Sequence, residues 1–589
     1  MSAEGTKEEV GGMSTLDWIV LVVTLLGIIA YGLYKSRTTR NLEGYFLSNR
    51  SLPWGLVLLS IMGTQASAIT FLSAPGQAYT EGMGFVQYYF GLPLAMIVIS
   101  LFFVPVYRKL KVYTAYEFLE TRFDGKTRTL TSFLFLLSRG LSTGLSVLAP
   151  SIILSSLLGW NIYWTNIFMG GLLIIYTMSG GAKAVAYTQQ LQLIIIFTGM
   201  FLAGYMLVRM LPDNVGFIDS LRVSGKLGRL NVIDTGISKE GIDWSGKYNL
   251  LSGIVGGFFL ALSYFGTDQS QVGRYLTAKS LRESRMGLIM NGFVKVPMQF
   301  LILLIGVLVF TFYQFNKAPL FYNDVQVKKI LNSPLRDSFL LAEKSYNLLA
   351  EKKQSAVTGY ISAADAGDKK VSGLMADSLQ ALQAQSDSIR KQVKTWIGSK
   401  AVGGDSKDTD YIFLRFVVDY LPAGLVGLLI AIIFLASWGS IAAAINSLAS
   451  CSMVDFHKRF TKKDECAEAE YRLSKWYTVG WGIFSIVVAM FAYNIGNSLI
   501  EAVNILGSLF YGVILGVFVI ALFFKKITNG HAVFWAAVLA ELVVIAVYLL
   551  VQFNVFALGF LWLNPVGVIG VVLFTLLLNT VFKKNIPAV

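Results

Sequence analysis

The chain has 589 residues, 55% of them hydrophobic and only 14% charged, with a mean hydropathy of +0.61. That balance excludes an ordinary soluble globular protein. A formal net charge of +14 raises nucleic-acid binding, but the surplus falls in loops on alternate sides of long apolar runs, which is the positive-inside pattern of an integral membrane protein.

Backbone groups in lipid must bond internally, and unbroken rather than alternating apolar runs select helices over a closed barrel. About thirteen runs are long enough to cross the ~30 Å hydrocarbon core. They fall at 16–34, 52–76, 84–107, 129–158, 161–178, 184–210, 250–273, 286–313, 421–454, 473–493, 499–524, 530–552 and 559–582. The first fifteen residues contain Glu4, Glu8 and Glu9 and no basic leader, so the first run is expected to be a retained anchor.

Lys35, Arg37 and Arg40 follow the first run, Arg108, Lys109 and Lys111 the third, and Lys183 the fifth. Arg274, Lys279, Arg282 and Arg285 follow the seventh; His457, Lys458, Arg459, Lys462 and Lys463 the ninth; then come Lys525 and Lys526, and Lys583 and Lys584. The opposite loops near 159–161, 494–498 and 553–558 carry no Lys or Arg. The expected topology therefore has the N terminus outside and the C terminus inside, in a plasma membrane (the cell inner membrane if Gram-negative). Of the two cysteines, Cys451 lies in a run and Cys466 in an inner loop, so no disulfide framework is expected.

Residues 315–410 break the apolar pattern. They are rich in Ser, Lys, Asp, Gln and Ala, keep a partial helical period in SGLMADSLQALQAQSDSIRKQVKTWIG, and predict a helical external insertion. YIFLRFVVDYLPAG then predicts a short amphipathic helix stopped by Pro422.

Residues 63–67, GTQAS, sit in the middle of the second run, and residues 266–270, GTDQS, repeat four of the five in the seventh, with the Gln shifted by one place and Asp268 in place of the Ala. Glycine costs about 1 kcal/mol in a helix interior, and freed carbonyls in lipid cost more unless something coordinates them. One reading is two helices interrupted in mid-membrane, with carbonyls offered to a cation and N–H groups to a solute; the other is two polar helix faces packed in a bundle, with hydroxyls bonded to the preceding turn. Five spans separate the two segments, so a repeated five-helix unit would have inverted topology.

The run GYFLSNRSLPWGLVLLSIMGTQASAITFLSAPGQAY resembles the start of the core in the sodium/solute symporter family, whose members include sodium/glucose, iodide, monocarboxylate, proline and sialic-acid cotransporters. SGGAKAVAYTQQLQ, YFGTDQSQVGRYLTAKS, FVKVPMQF and SIAAAINSLASCSMVDFHKR extend the resemblance over most of the chain outside 315–410. It implies an all-α polytopic membrane protein with a LeuT-like core of two inverted five-helix units. The expected organisation is an external N terminus and anchor over 1–51, a first unit over 52–210, an external loop over 211–249, the start of the second unit over 250–314, an external insertion over 315–420, the rest of that unit over 421–524 and two terminal helices over 525–589.

The resemblance also implies sodium as coupling ion, with no other cofactor. Its ligands carry over to Gly63 and Ala66 on the first core helix and Ala436, Gly439 and Ser440 on the eighth, an all-oxygen set suited to a hard cation. Where relatives usually have two adjacent hydroxyl residues this chain has Gly439-Ser440, and where many have Asp it has Gln189 after Thr188, a residue on a possible cation path. These departures keep open an alternative, an uncoupled solute facilitator or membrane sensor on the same fold.

Ionisable groups inside spans are costly, roughly 3 kcal/mol on insertion scales, and mark candidate sites. Asp268 and Lys295 are read either as solute ligands or as a salt bridge closing the bundle, and Arg139 more as an anchor to carbonyls than as a ligand. Gln65, Thr70, Tyr88, Tyr89, Gln269, Gln271 and Asn504 fall where relatives line the pocket or its gates. The expected partners are a small polar organic solute, with a sugar or polyol slightly ahead of a carboxylate, a sodium ion and the lipid bilayer; neither nucleic acid nor an obligate protein partner is indicated. An enzyme is disfavoured: His457 and His531 lie near inner span ends, and neither HExxH nor paired intramembrane aspartates occur.

Overall fold

A computed structural model describes residues 13–36, 42–239, 241–461, 466–492 and 499–583. Arg37, Arg40, Lys462, Lys463, Lys584, the acidic start of the chain and the loop at 494–498 lie outside the described residues.

Each predicted apolar run is helical. In chain order the spans are α1 (Thr15–Ser36), α2 (Trp54–Gln65), α3 (Ala68–Glu81), α4 (Met83–Leu110), α5 (Gly125–Leu158), α6 (Ile162–Arg209), α7 (Ser252–Gly266), α8 (Gln269–Leu276) and α9 (Leu281–Phe315). A helical pair, α10 (Arg336–Asp365) and α11 (Lys369–Ile397), fills most of the polar insertion. Then follow α12 (Leu425–Cys451), α13 (Ala467–Ala492), α14 (Leu499–Phe523), α15 (Gly530–Gln552) and α16 (Leu563–Lys583). Among the described residues ten helices are long and apolar enough to cross a membrane, eleven with the bent pair α2–α3; the shorter apolar helices are Ile162–Met178 and Ser252–Gly266. The chain is a polytopic all-helical membrane protein.

Two predicted runs, 161–178 and 184–210, form the single element α6, bent at Gly181, whose φ of +58° is open to glycine and which packs on the backbone of Tyr45. The segment before Pro422 is helical over Ile412–Tyr420, as its pattern predicts.

α12 is apolar on every side and buried along nearly its whole length, the mark of a central helix. It packs on α5, α6 and α1. Asp17 fastens α1 to its start: the carboxylate accepts the N–H groups of Gly424 at 2.6 Å and Gly427 at 3.0 Å, two of the donors a helix start leaves unpaired.

Candidate functional site

The GTQAS segment is a true interruption: α2 ends at Gln65, α3 begins at Ala68, and their axes differ by 60°. The Ser67 N–H turns to Gln65 O (2.9 Å) and the Thr70 N–H to Ser67 O (2.9 Å). In a continuous helix those two donors would serve Gly63 O and Ala66 O. The two carbonyls assigned to the cation by resemblance are thus among those that lose their helical donors at the break. Ser67, at the N-cap of α3, makes no side-chain cap bond, so the first turn of α3 keeps open N–H groups.

The GTDQS segment breaks as well, between Gly266 and Gln269, but its polar groups are satisfied within the protein. Tyr107 donates its hydroxyl to Gly266 O (2.7 Å) and Tyr116 donates to Thr267 O (2.8 Å). Asp268 caps α8 through the Ser270 N–H (2.8 Å). The expectation that both breaks offer bare main-chain groups holds at the first and fails at the second, where tyrosines supply the donors.

Between the helices lies a cavity of about 150 Å³, room for roughly five waters or one small solute. Gln65, Thr70, Tyr88, Tyr89, Lys295, Asn504 and Ser440 all line it. Tyr88 donates to Asn504 Oδ1 at 3.2 Å, leaving Asn504 Nδ2 without a partner. Gln65 commits its Nε2 to Asn291 Oδ1 (2.6 Å). Tyr88 and Tyr89 meet edge to face at 4.7 Å, and the Lys295 ammonium stands 5.3 Å from the centre of the Tyr89 ring, within cation–π range.

Three expected solute ligands are not in this wall. Asp268 pairs with Arg139, not with Lys295: Arg139 Nη2 lies 2.6 Å from Asp268 Oδ2 and Nε 3.1 Å, and the Tyr511 hydroxyl donates to the same oxygen at 2.8 Å. Gln269 joins the loop ahead of α5, accepting from the Ala115 N–H at 3.0 Å and donating to Tyr113 O at 2.8 Å. Gln271 donates to the Tyr264 hydroxyl at 2.8 Å. Arg139 does line the cavity, anchored on a carboxylate rather than on carbonyls, with its guanidinium 5.1 Å from the centre of the Tyr264 ring. Lys295 has no carboxylate within ion-pair distance among the described residues.

Sequence reasoning missed the hydroxyl face of α5. Ser142, Thr143 and Ser146 share the wall with Arg139, and their three- and four-residue spacings put them on one stripe. That stripe was readable in SRGLSTGLS.

On the cation side, Ser440 Oγ sits 3.1 Å from Ala436 O, to which it donates. Gln189 reaches across from α6: Ser60 Oγ donates to its Oε1 (2.8 Å), while its Nε2 donates to Gly439 O (3.0 Å) and Thr64 Oγ1 (3.2 Å). Gly439 O can only accept and the Thr64 hydroxyl donates to Ser60 O, so the amide nitrogen must face this pair. An amide donor therefore holds a carbonyl expected to be a cation ligand. A Cβ at 439 would lie 2.6 Å from Gln192 Oε1, the far end of a side chain that can turn aside. Gly63 is crowded more firmly, its Cβ position lying 2.9 Å from Gln189 Cβ at the base of that side chain.

The family model for the sodium:solute symporter family matches residues 45–327 and 389–540. The chain is 25% identical over 586 residues to the sodium/sialic acid symporter NanT of Aliivibrio fischeri, covering 98% of this chain and 95% of that protein. It is 25% identical over 535 residues to the sodium/glucose cotransporter of Vibrio parahaemolyticus, covering 89% and 83%. The solved substrate-bound, outward-open state of a Na+-coupled sialic acid symporter superposes with a TM-score of 0.72 at 21% identity, over 96% of this chain and 98% of that one.

Proposed function

The chain belongs to the sodium:solute symporter family, and from that premise we propose that it takes up a small polar organic solute together with sodium by alternating access. In this reading two inverted five-helix units, 52–210 and 250–524, each open on a broken helix. The N terminus lies outside and the C terminus inside, thirteen spans cross the bilayer, the segments 211–249 and 315–420 face outward, and α15 and α16 are additions. The observation that carries the reading is the break between α2 and α3, which takes the helical donors from Gly63 O and Ala66 O and opens the start of α3 on a cavity shared with Tyr88, Asn504 and Ser440.

Sodium sits between α2 and α12 on Gly63 O, Ala66 O, Ala436 O, Gly439 O and Ser440 Oγ. Gln189 gives up Gly439 O when the cation arrives, so the ion exchanges for a hydrogen bond. The solute lies in the cavity between Tyr88, Tyr89, Asn504, Thr70 and Lys295. The names of similar proteins give no support to a sugar over a carboxylate, since sialic acid is itself an acid and other relatives are named for monocarboxylates. Lys295 without a carboxylate partner and the uncapped positive end of α3 both favour an anionic group. A carboxylate-bearing solute with further hydroxyl or amide groups is therefore the preferred class. The facilitator or sensor alternative is not favoured, because the relatives are named as symporters and cotransporters.

A thermal-shift screen of carboxylates, sugars, polyols and amino acids with sodium or potassium identifies the solute, and its uptake then tests the ion site. Ser440→Ala removes the only side-chain hydroxyl in the set and is expected to weaken sodium dependence about tenfold. Gln189→Asp removes the competing amide and adds a charge, and is expected to tighten it by about the same factor or more. Unaltered sodium dependence in both variants would refute the placement.

A further inference from the structure

Outside the central site, the insertion and the outer end of α3 enclose a second cavity of about 190 Å³ whose charge is strongly one-sided. Five cations line it, Arg229, Lys353, Arg390, Lys391 and Lys394, against one carboxylate, Asp387. Asp408 holds two of the five, at 2.5 Å from Arg390 Nη2 and 2.7 Å from Lys394 Nζ. Arg229 Nη2 stays 3.8 Å from Asp387, beyond hydrogen-bond distance, and Glu81 acts on Arg229 as well.

The positive charge that remains is only partly compensated. Lys353 is only 4% exposed and Arg390 8%, yet the Lys353 ammonium has a neutral partner, Gln383 Oε1, at 3.3 Å. Arg229 Nε and Arg390 Nη1 are buried without a hydrogen-bond partner among the described residues. Buried donors left unpaired are costly, the more so when charged. Burial pushes the Lys353 ammonium down to about 8, with Arg390 adding to the shift and Asp387 opposing it. The helix pair and the loop that carries Arg229 thus hold buried donors and an excess of positive charge around one cavity with fewer acceptors than would balance it, an arrangement suited to a carboxylate or phosphate.

We propose that this outer pocket binds a small oxyanion, a carboxylate or phosphate group, between Arg229, Lys353 and Arg390. Lys391 and Lys394 at its rim supply attraction. Tyr79 and Thr80 of α3 also line the cavity, so the bound anion touches the outer half of the broken span.

The test is calorimetric titration of the full-length protein with inorganic phosphate, in nanodiscs of phosphatidylcholine and, separately, of phosphatidylglycerol. Saturable binding is expected in phosphatidylcholine. Persistence of that binding in phosphatidylglycerol identifies a free anion as the ligand, and its loss there identifies a lipid headgroup with the same chemistry. Lys353→Gln with Arg229→Gln is expected to lower affinity roughly tenfold or more. Lys391→Gln, at an exposed position that leaves the fold intact, is expected to lower it about two- to threefold. Absence of phosphate binding to the wild type in phosphatidylcholine, or equal affinity in wild type, the double variant and Lys391→Gln, would overturn the proposal.

Discussion

Arg139→Ala is expected to destabilise the protein by about 3–5 kcal/mol, because it strands Asp268 as an unpaired buried carboxylate. Such a loss is a large fraction of the stability of an ordinary domain. Asp268 accepts from Arg139, Tyr511 and the start of α8 together, so removal of the guanidinium also loosens the second helix break. The double change Arg139→Gln with Asp268→Asn removes both charges while keeping polar groups in place, and is expected to recover at least half of the loss. Thermal unfolding in detergent of the wild type, Arg139→Gln, Asp268→Asn and the double variant gives the cycle. Independent, additive losses would mean that the pair does not hold the break.

Lys295→Ala is expected to weaken solute binding by roughly 10- to 150-fold, the equivalent of one charge-assisted hydrogen bond, while sodium affinity changes by less than about threefold. The asymmetry follows from placement. Lys295 lies on α9 in the cavity wall against Tyr89, whereas the proposed ion ligands are on α2 and α12. Titration of each ligand alone separates the two effects. Equal losses for both, or no loss of solute affinity, would remove Lys295 from the solute site.

The two interruptions were readable because each pairs a helix-weakening glycine with amides and hydroxyls in an apolar run, a local feature. What satisfies each one was not. Tyr107 and Tyr116 reach the second break from sequence separations of 159 and 151 residues, and nothing in GTDQS announces them. Arg139 and Asp268 are likewise 129 residues apart. A salt bridge between Asp268 and Lys295 was one of two readings for these neighbouring spans, but helix rotation decides which side chains face each other, and Asp268 at the start of α8 faces α5. Gln189 was legible as an amide in place of a carboxylate; that its nitrogen would hold Gly439 O depended on the approach of α6 to α12, which the glycines at 63 and 439 permit. The hydroxyl stripe of α5 was the one part of the cavity wall readable from spacing and passed over.

Coupling is measured most directly by uptake of the identified solute into proteoliposomes under an inward sodium gradient, compared with equal sodium on both sides. The freed carbonyls of the α2–α3 break predict transient accumulation above the external concentration, abolished when an ionophore dissipates the gradient. Solute that merely equilibrates, at the same rate with sodium as with potassium, would contradict the account.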